Sequence, residues 1–401
     1  MKVFRTFHPV GQGAFYSERF YDKSKNSAVY NMVFDCGAAR GYESKAEHIV
    51  SQSFTKNDVI DYLFISHLDY DHVSLVKTLL SSVKRVDNII LPFMTEEDMV
   101  IELAYHRLSG DNYMTWFIRR IVNHMNGNWD GDFSNGDYNV HFVGDHDETD
   151  KTDKTDKTTN SKTWRSGDDS SGNRIQGWVF IPYNVNYRSR KLDLINKLQD
   201  LFVIKGFVNG LTKICGDNVK TGSDLYEKLK EDSFVGKIIE NTTLRRYIKQ
   251  AYEKVEGGIN ENSLLLYSGP SSNNVDHWWY EEGCLMNDNF NYYRCRYRCL
   301  RVACLYTGDS NCDLTDWKNS KYNSVWENIG TIQLPHHGSV ESFDVDKNTI
   351  ERSYVFPVSC GSTNSYGHPS GRVLAYLMTH GCIVRIITEL VGTTYIQVIK
   401  G

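Results

Sequence analysis

Short apolar runs that end in a glycine or a charged tip recur along the chain, and a stretch of helical periodicity separates two groups of them. The first group opens with MKVFRTF at 1–7, turns at Gly11-Gln12-Gly13, and continues with the run 28–34 that stops at Asp35-Cys36-Gly37. Apolar runs bounded by turn residues predict strands. A short helix follows over 45–53, then a strand over 59–65 that runs straight into His67, Asp69, Asp71 and His72, then a helix over 73–80. The arrangement is strand, polar loop, helix, and in α/β architectures loops at the carboxyl ends of strands are where ligands sit.

The character changes over 93–258. Residues 96–126 read as helix, 137–144 as strand, and the tract 147–163, with Thr-Asp-Lys three times over, has almost no apolar side chain to bury. That tract predicts a disordered, solvated loop. A strand over 177–182 precedes helical periodicity across 192–254, where Leu192, Leu194, Ile195, Leu198 and Leu201 are expected to share one buried face. Strand-like runs resume at 262–267, 301–306, 331–334, 354–359 and 383–399. The pattern predicts a core of 1–92 and 259–401 in one domain, with 93–258 a largely helical insertion.

Composition narrows the class without naming it. With 401 residues and 40% hydrophobic content the chain can bury a substantial core. No run approaches the roughly 20 apolar residues of a membrane span, and the first residues lack a signal-peptide pattern, so a cytoplasmic protein is expected. Nine cysteines without a dense framework predict reduced thiols. The spacings of Cys284, Cys295, Cys299, Cys304 and Cys312 lack a pair of CxxC knuckles, so buried thiols are expected there rather than zinc ligands. A net charge of -5 argues against bulk attraction to nucleic acid and leaves a local basic groove open.

Candidate chemistry sits at the strand ends. Two histidines and two aspartates within residues 67–72 repel one another unless something positive holds them, and capping of a helix accounts for only one acid. Three more polar tips follow apolar runs: Thr307-Gly308-Asp309, His336-His337-Gly338 and Gly367-His368-Pro369. Several strands delivering Asp and His to one edge is what a metal centre needs, and zinc or manganese accepts that mixture of ligands. Alternation along 291–301 places Arg294, Arg296 and Arg298 on one face of a strand leading toward Asp309, interleaved with tyrosine. Such a face suits single-stranded nucleic acid through phosphate contacts and stacking; it equally suits an edge strand protected by charge.

The stretches VGQGA (10–14), FDCG (34–37), SHLDYDH (66–72), NSLLL (262–266), LYTGD (305–309), LPHHGS (334–339) and SCGSTNSYGHPS (359–370) occur in an order that resembles the metallo-β-lactamase-fold hydrolases. Within that superfamily the chain most resembles the nuclease-like domain of the bacterial competence DNA-uptake channel protein and is also similar to phosphorylcholine esterase. The resemblance covers 1–92 and 259–401 and implies an α+β, four-layer αββα sandwich. It implies two divalent metal ions, zinc or manganese. His67 and Asp69 would hold one, Asp71 and His72 the other, with Asp309 bridging and His337 as the late histidine ligand. Asp35 would orient a ligand, and His336 would face the substrate phosphate. Asp71, His336 and His368 form the expected catalytic group. The superfamily commonly supplies one more histidine before the bridging aspartate; by position His124, His141 and His146 qualify.

The expected activity is therefore metal-dependent hydrolysis of a phosphodiester, with DNA or RNA as substrate. The alternatives are a hydrolase of a small phosphoester or cyclic nucleotide, which a closed pocket lined by the insertion would favour, and an inactive module that binds a protein partner through the insertion.

Overall fold

Burial alternates along the first strand as a pleated ribbon with one inward face requires, whereas the inner strands are buried on both faces. The computed structural model describes residues 1–22, 28–125, 138–144, 162–169, 175, 177–184, 191–255, 263–271, 278–286, 291–292, 295–299 and 301–401. The strands are, first, β1 (Lys2–Phe7), β2 (Phe15–Tyr21), β3 (Ala28–Cys36), β4 (Val59–Ile60), β5 (Tyr62–Phe64), β6 (Arg85–Val86) and β7 (Asn88–Pro92). Next come β8 (Asn139–Gly144), β9 (Lys162–Arg165), β10 (Trp178–Asn184), β11 (Leu264–Pro270), β12 (Trp279–Met286), β13 (Asn291–Tyr292) and β14 (Cys295–Cys299). The last are β15 (Ala303–Tyr306), β16 (Ile329–Ile332), β17 (Val355–Ser359), β18 (Ile383–Ile387) and β19 (Tyr395–Lys400). Helices are α1 (Glu43–Ser53), α2 (Tyr70–Val73), α3 (Val76–Ser82), α4 (Glu96–Ser109), α5 (Asn112–Met125) and α6 (Lys191–Gln199). They continue with α7 (Lys205–Cys215), α8 (Gly222–Leu229), α9 (Asp232–Glu240), α10 (Thr242–Glu253), α11 (Leu314–Asp316) and α12 (Gly371–Thr379).

The architecture is mixed α/β. One sheet runs β13-β12-β19-β1-β2-β3-β5-β7-β8-β9, with β14 paired to β12, and a second runs β10-β11-β15-β16-β17-β18. In both sheets the strands that end at the polar tips are parallel to a neighbour: β3 to β5 in the first, and β15 to β16 to β17 in the second. Parallel pairing aligns carboxyl ends, so Asp35, His67, Asp309 and His337 leave their strands in common directions.

Three apolar clusters separate these layers. Phe7, Tyr16, Phe20 and Phe34 of the first sheet meet Trp178, Phe180, Leu266 and Tyr306 of the second. Val33, Leu63 and Ile89, on the other face of the first sheet, pack on Ala46, Val50, Leu79, Met99 and Phe117 of the helices. Leu305, Ile332 and Phe356 of the second sheet pack on Leu314, Val373 and Leu377. A fourth cluster belongs to 93–258, where Leu108 of α4 joins Leu198, Phe207, Leu225, Ile238 and Ile248.

Several sequence expectations change in detail. The helix expected over 96–126 is two helices, because Gly110 adopts φ +76° and closes α4. The strand expected over 59–65 breaks at Asp61, and the helix over 73–80 breaks where Ser74 Oγ bonds the backbone of Ala38. The run 383–399 divides into β18 and β19, which lie in different sheets. Leu192 is 74% exposed although Leu194, Leu198 and Leu201 are buried; position 192 lies off the face that the other three share. The segment 93–258 is helical in large part, yet β8 and β9 extend the first sheet and β10 edges the second. Of the solvated tract, 147–161 lies outside the described residues. Among the described residues no helix is long and apolar enough to cross a membrane.

A buried ion pair joins neighbouring strands of the first sheet and hydrogen-bonds across to the second. Arg5 Nε lies 2.6 Å from Glu18 Oε1, both side chains fully buried. Arg5 also donates to Val302 O, Gln397 Oε1 and Ser268 O, while Glu18 accepts from the hydroxyls of Ser268 and Tyr306. Burial alone would lower the Arg5 pKa, but the neighbouring Glu18 carboxylate holds it above its ordinary value. With nearly every lone pair and N–H satisfied, removing one partner strands the other charge. Glu18→Gln is therefore expected to destabilise the fold by about 3–5 kcal/mol, read as a lowered denaturant midpoint in equilibrium unfolding; a change under about 1 kcal/mol would mean that the pair is solvated.

Candidate metal centre

Backbone conformation marks the site before any side chain is considered. Among the described residues, those other than glycine with positive φ are Asp35 (55°), His336 (47°) and His337 (53°), and all three lie where strand ends of the two sheets come together. Such conformations cost of order 1–3 kcal/mol each and persist where the surroundings overdetermine them. Glycine lets the tips close on one another. A Cβ on Gly37 would lie 2.5 Å from the backbone of Asp71, and one on Gly308 would lie 2.5 Å from Ser66 Cβ.

Side chains from four separate segments meet there. His72 Nε2 lies 3.2 Å from Asp309 Oδ1, and His67 Nε2 lies 3.8 Å from Asp309 Oδ2 and 3.6 Å from Asp69 Oδ2. His337 Nε2 lies 3.1 Å from Asp71 Oδ2. His67, His72 and Asp309 form one group whose ligand atoms lie within 4.8 Å of one another; Asp71, His72 and His337 form another. His72 thus belongs to both groups. Asp69, at the start of α2, makes no capping hydrogen bond, so capping does not explain its placement.

Hydrogen bonds behind the cluster determine which ring nitrogen faces it. Asp35 accepts from Ser66 N (2.6 Å), Ser66 Oγ (2.7 Å) and His72 Nδ1 (2.8 Å). The single hydroxyl proton of Ser66 goes to Asp35, so its oxygen accepts from His67 Nδ1 at 2.9 Å. His337 Nδ1 donates to the carbonyl of Ser359 at 2.8 Å. When neutral, all three imidazoles are thereby Nδ1–H tautomers whose Nε2 lone pairs face the cluster; when protonated, Nε2–H takes that place, as in the contact of His337 with Asp71. Nε2 of His67 and of His72 is buried without a hydrogen-bond partner. An outward lone pair on a ring whose other nitrogen is anchored to a carboxylate or carbonyl is how metal-ligating histidines are prepared. Imidazole and carboxylate oxygens suit zinc or manganese, so the donor set fits the expected ions.

Electrostatics agree with the geometry. Burial works against ionisation of Asp71, but the hydrogen bond from His337 and the charges of His72 and His337 hold its pKa at about 2. Burial likewise opposes, and His72 and His67 outweigh it, in keeping Asp309 well below the carboxylate range. Burial would lower His72, yet Asp309 and Asp35 raise it well above 6.5; His337 is raised by Asp71 and Asp309 against the same penalty. Without a cation, protons on His72 and His337 stabilise the fold below about pH 6.5, and that contribution fades as pH climbs through their raised values.

His336 and His368 sit beside the cluster rather than in it. His336 Nδ1 meets Ser342 Oγ at 2.9 Å, its Nε2 lies 3.7 Å from Asp309, and the His368 ring centre is 5.6 Å from its own. Both line a cleft of about 860 Å³ with Asp69, Asp71, Asp309 and His337. Burial and the neighbouring His336 and His337 lower the pKa of His368.

Other candidates lie elsewhere. His141 bonds Asn88 Oδ1 at 3.0 Å and stacks on Trp164, and His124 stacks on Tyr138; neither joins the cluster or lines the cleft. Their rings are absorbed by packing around β8. His146 and Arg294 lie outside the described residues, as do the side chains of Arg296 and Arg298. The strand carrying the last two, β14, pairs with β12 and does not continue into β15. Ser66 had no signal in the sequence beyond its place in SHLDYDH, and its role emerges only from the geometry. His106 of α4 is buried with Nε2 unpartnered, and burial lowers its pKa against the opposing charges of Asp111 and Asp69, but it joins neither ligand group. No protein-family model and no curated protein matches the chain.

Two outcomes follow from the hydrogen bonding. Asp35→Asn should weaken zinc or manganese affinity about 10–100-fold in competition titrations with a chromophoric chelator. Because ion binding must displace the protons on His72 and His337, added zinc should raise the melting temperature more at about pH 8 than at about pH 6; an equal or opposite trend would contradict the ligand assignment.

Proposed function

We propose that the protein is a metal-dependent hydrolase of phosphodiester bonds, acting on DNA or RNA in the cytoplasm, with the four-layer αββα arrangement of the metallo-β-lactamase fold. Support for the finer fold reading comes from the succession of apolar clusters: helices against the first sheet, sheet against sheet, and second sheet against helices. One observation carries the functional reading. Three anchored imidazoles and the carboxylates of Asp71 and Asp309 converge from distant strand tips with Nε2 atoms turned inward.

His67, Asp69, Asp71, His72, Asp309 and His337 would hold the ions. Divalent ions held there would supply Lewis acidity and lower the pKa of water toward neutrality. The chain's own residues supply position and proton handling. Asp35 and Ser66 keep His67 and His72 in the tautomer that leaves Nε2 free. Ser359 does the same for His337. His336, held through Nδ1 by Ser342, turns Nε2 toward the cleft, where it can donate to a phosphoryl oxygen. His368, whose ring nitrogens have no hydrogen-bond partner among the described residues, is placed to exchange a proton with the attacking or leaving oxygen.

The cleft is lined by residues of 1–92 and 259–401, and none of the described residues of 93–258 is among them. A cleft that no described residue of the insertion lines favours a polymeric substrate over a small enclosed one. The test is incubation with manganese or zinc and a panel of single-stranded DNA, duplex DNA, RNA and small diesters. His72→Ala and Asp309→Asn should each lower the rate more than about a hundredfold, beyond the loss expected for an outer partner of the metal. Cleavage that survives both substitutions would remove the hydrolytic reading.

A further inference from the structure

The cleft holds more than the metal cluster: its remaining wall carries cations and rings, together with the Glu389 carboxylate, on which the Lys45 charge acts. Two cations line it, Arg40 from the loop after β3 and Lys45 of α1. The Arg40 side chain is 65% exposed; it lies 4.1 Å from the Tyr70 ring centre, and Nη2 pairs with Asp111 at 2.8 Å. Its Nε and Nη1 make no hydrogen bond among the described residues, so a stacked, oriented guanidinium faces the cleft with donors to spare. Lys45 is exposed and has no ion pair among the described residues. On the other flank a row of rings leads away from the cluster. His337 to His336 is 6.2 Å between centres, His336 to His368 is 5.6 Å, and His368 to Tyr366 is 6.2 Å with planes 10° apart. Tyr366, the last of the row, is 69% exposed.

A guanidinium with unused N–H donors and an exposed ammonium can bind anions, and an exposed ring already stacked on one face offers the other to a planar partner. The cleft, at about 860 Å³, is several times larger than one phosphate requires. We infer that Arg40 and Lys45 bind a phosphate neighbouring the one at the metal cluster while Tyr366 stacks a base, so that the ligand is a single strand of nucleic acid. The inference rests on the hydrolytic reading of the same site and assigns the cationic role to Arg40 and Lys45, instead of the arginines at 294, 296 and 298. Single strands suit this wall because their bases are free to stack and their backbone can follow charges. Asp111, at the junction of α4 and α5, acts as a positioning residue that holds Arg40 at the mouth.

Binding can be measured apart from turnover, by fluorescence anisotropy of the full chain with manganese and a labelled single-stranded phosphorothioate 12-mer that resists cleavage. Arg40→Ala with Lys45→Ala should weaken binding about tenfold and reduce the steepness of its logarithmic salt dependence by about 0.7 for each phosphate that the protein no longer neutralises. Tyr366→Ala should weaken it about tenfold, with Tyr366→Phe restoring it, since stacking needs only the ring. Lys56→Ala with Lys77→Ala, in a separate groove beside α1 and α3, serves as the charge-matched control and should change nothing. Unchanged affinity in the Arg40, Lys45 and Tyr366 variants, no binding by the unsubstituted protein, or equal competition by a cyclic dinucleotide overturns the inference. Binding that depends on these residues, in a protein that cleaves neither strands nor small diesters, would retain the strand site and sink the hydrolytic reading instead.

Discussion

Gathering largely buried carboxylates and imidazoles where strand ends of the two sheets meet is the constraint from which the rest of this structure follows. Asp309, His67 and His72 are almost wholly buried, and Asp35 is fully so. Ionised groups in such a place require partners, because desolvation of each costs several kcal/mol. The chain supplies part of the compensation internally, through Ser66, Ser359 and the mutual pairing of acids with rings. It leaves two ring nitrogens without any. Positive charge at the centre of the cluster would satisfy the inward lone pairs and the carboxylates together.

That constraint explains features that would otherwise look like defects. Asp35, His336 and His337 adopt left-handed backbone conformations that L residues avoid, and each sits where the conformation turns a polar side chain from a strand end toward the common edge. Gly37 accepts the close approach of the Asp71 backbone, and Gly308 that of the Ser66 side chain, at the same place. The cost is carried by the surrounding scaffold: parallel strands that align the tips, apolar layers on either side, and the buried Arg5 and Glu18 pair that ties the two sheets together. The segment 93–258 contributes at a distance, with its own apolar cluster and an Asp111 that reaches Arg40 at the cleft.

Much of this was legible from the residues themselves. Apolar runs ending in Asp or His located the strand tips, since a strand must bury its body while its last residue is free to be polar. The acids and histidines of SHLDYDH exceed what a helix cap uses, and the repeated placement of Asp and His at strand ends, with the resemblance, joined Asp309 and His337 to them. Less visible was anything that depends on distance across the fold. Ser66 directs its proton by the position of Asp35, thirty-one residues away in sequence, and no local pattern announces that. His124 and His141 qualified by position but were expected to be ordinary histidines, and their rings do pack on Tyr138 and Trp164 around β8. Run lengths misled too: a continuous apolar stretch over 383–399 hid a change of sheet, and Leu192 fell off a face that helical spacing only approximates.

The central claim is that Nε2 of His67, His72 and His337, with Asp71 and Asp309, surround bound cations. Anomalous diffraction from crystals grown with manganese or zinc locates such ions directly. The account predicts anomalous peaks within bonding distance of those nitrogens and carboxylates, with His72 or Asp309 near more than one ion if two are bound. Peaks confined to surface carboxylates, or Nε2 atoms found bonded to other side chains at saturating metal, would contradict it.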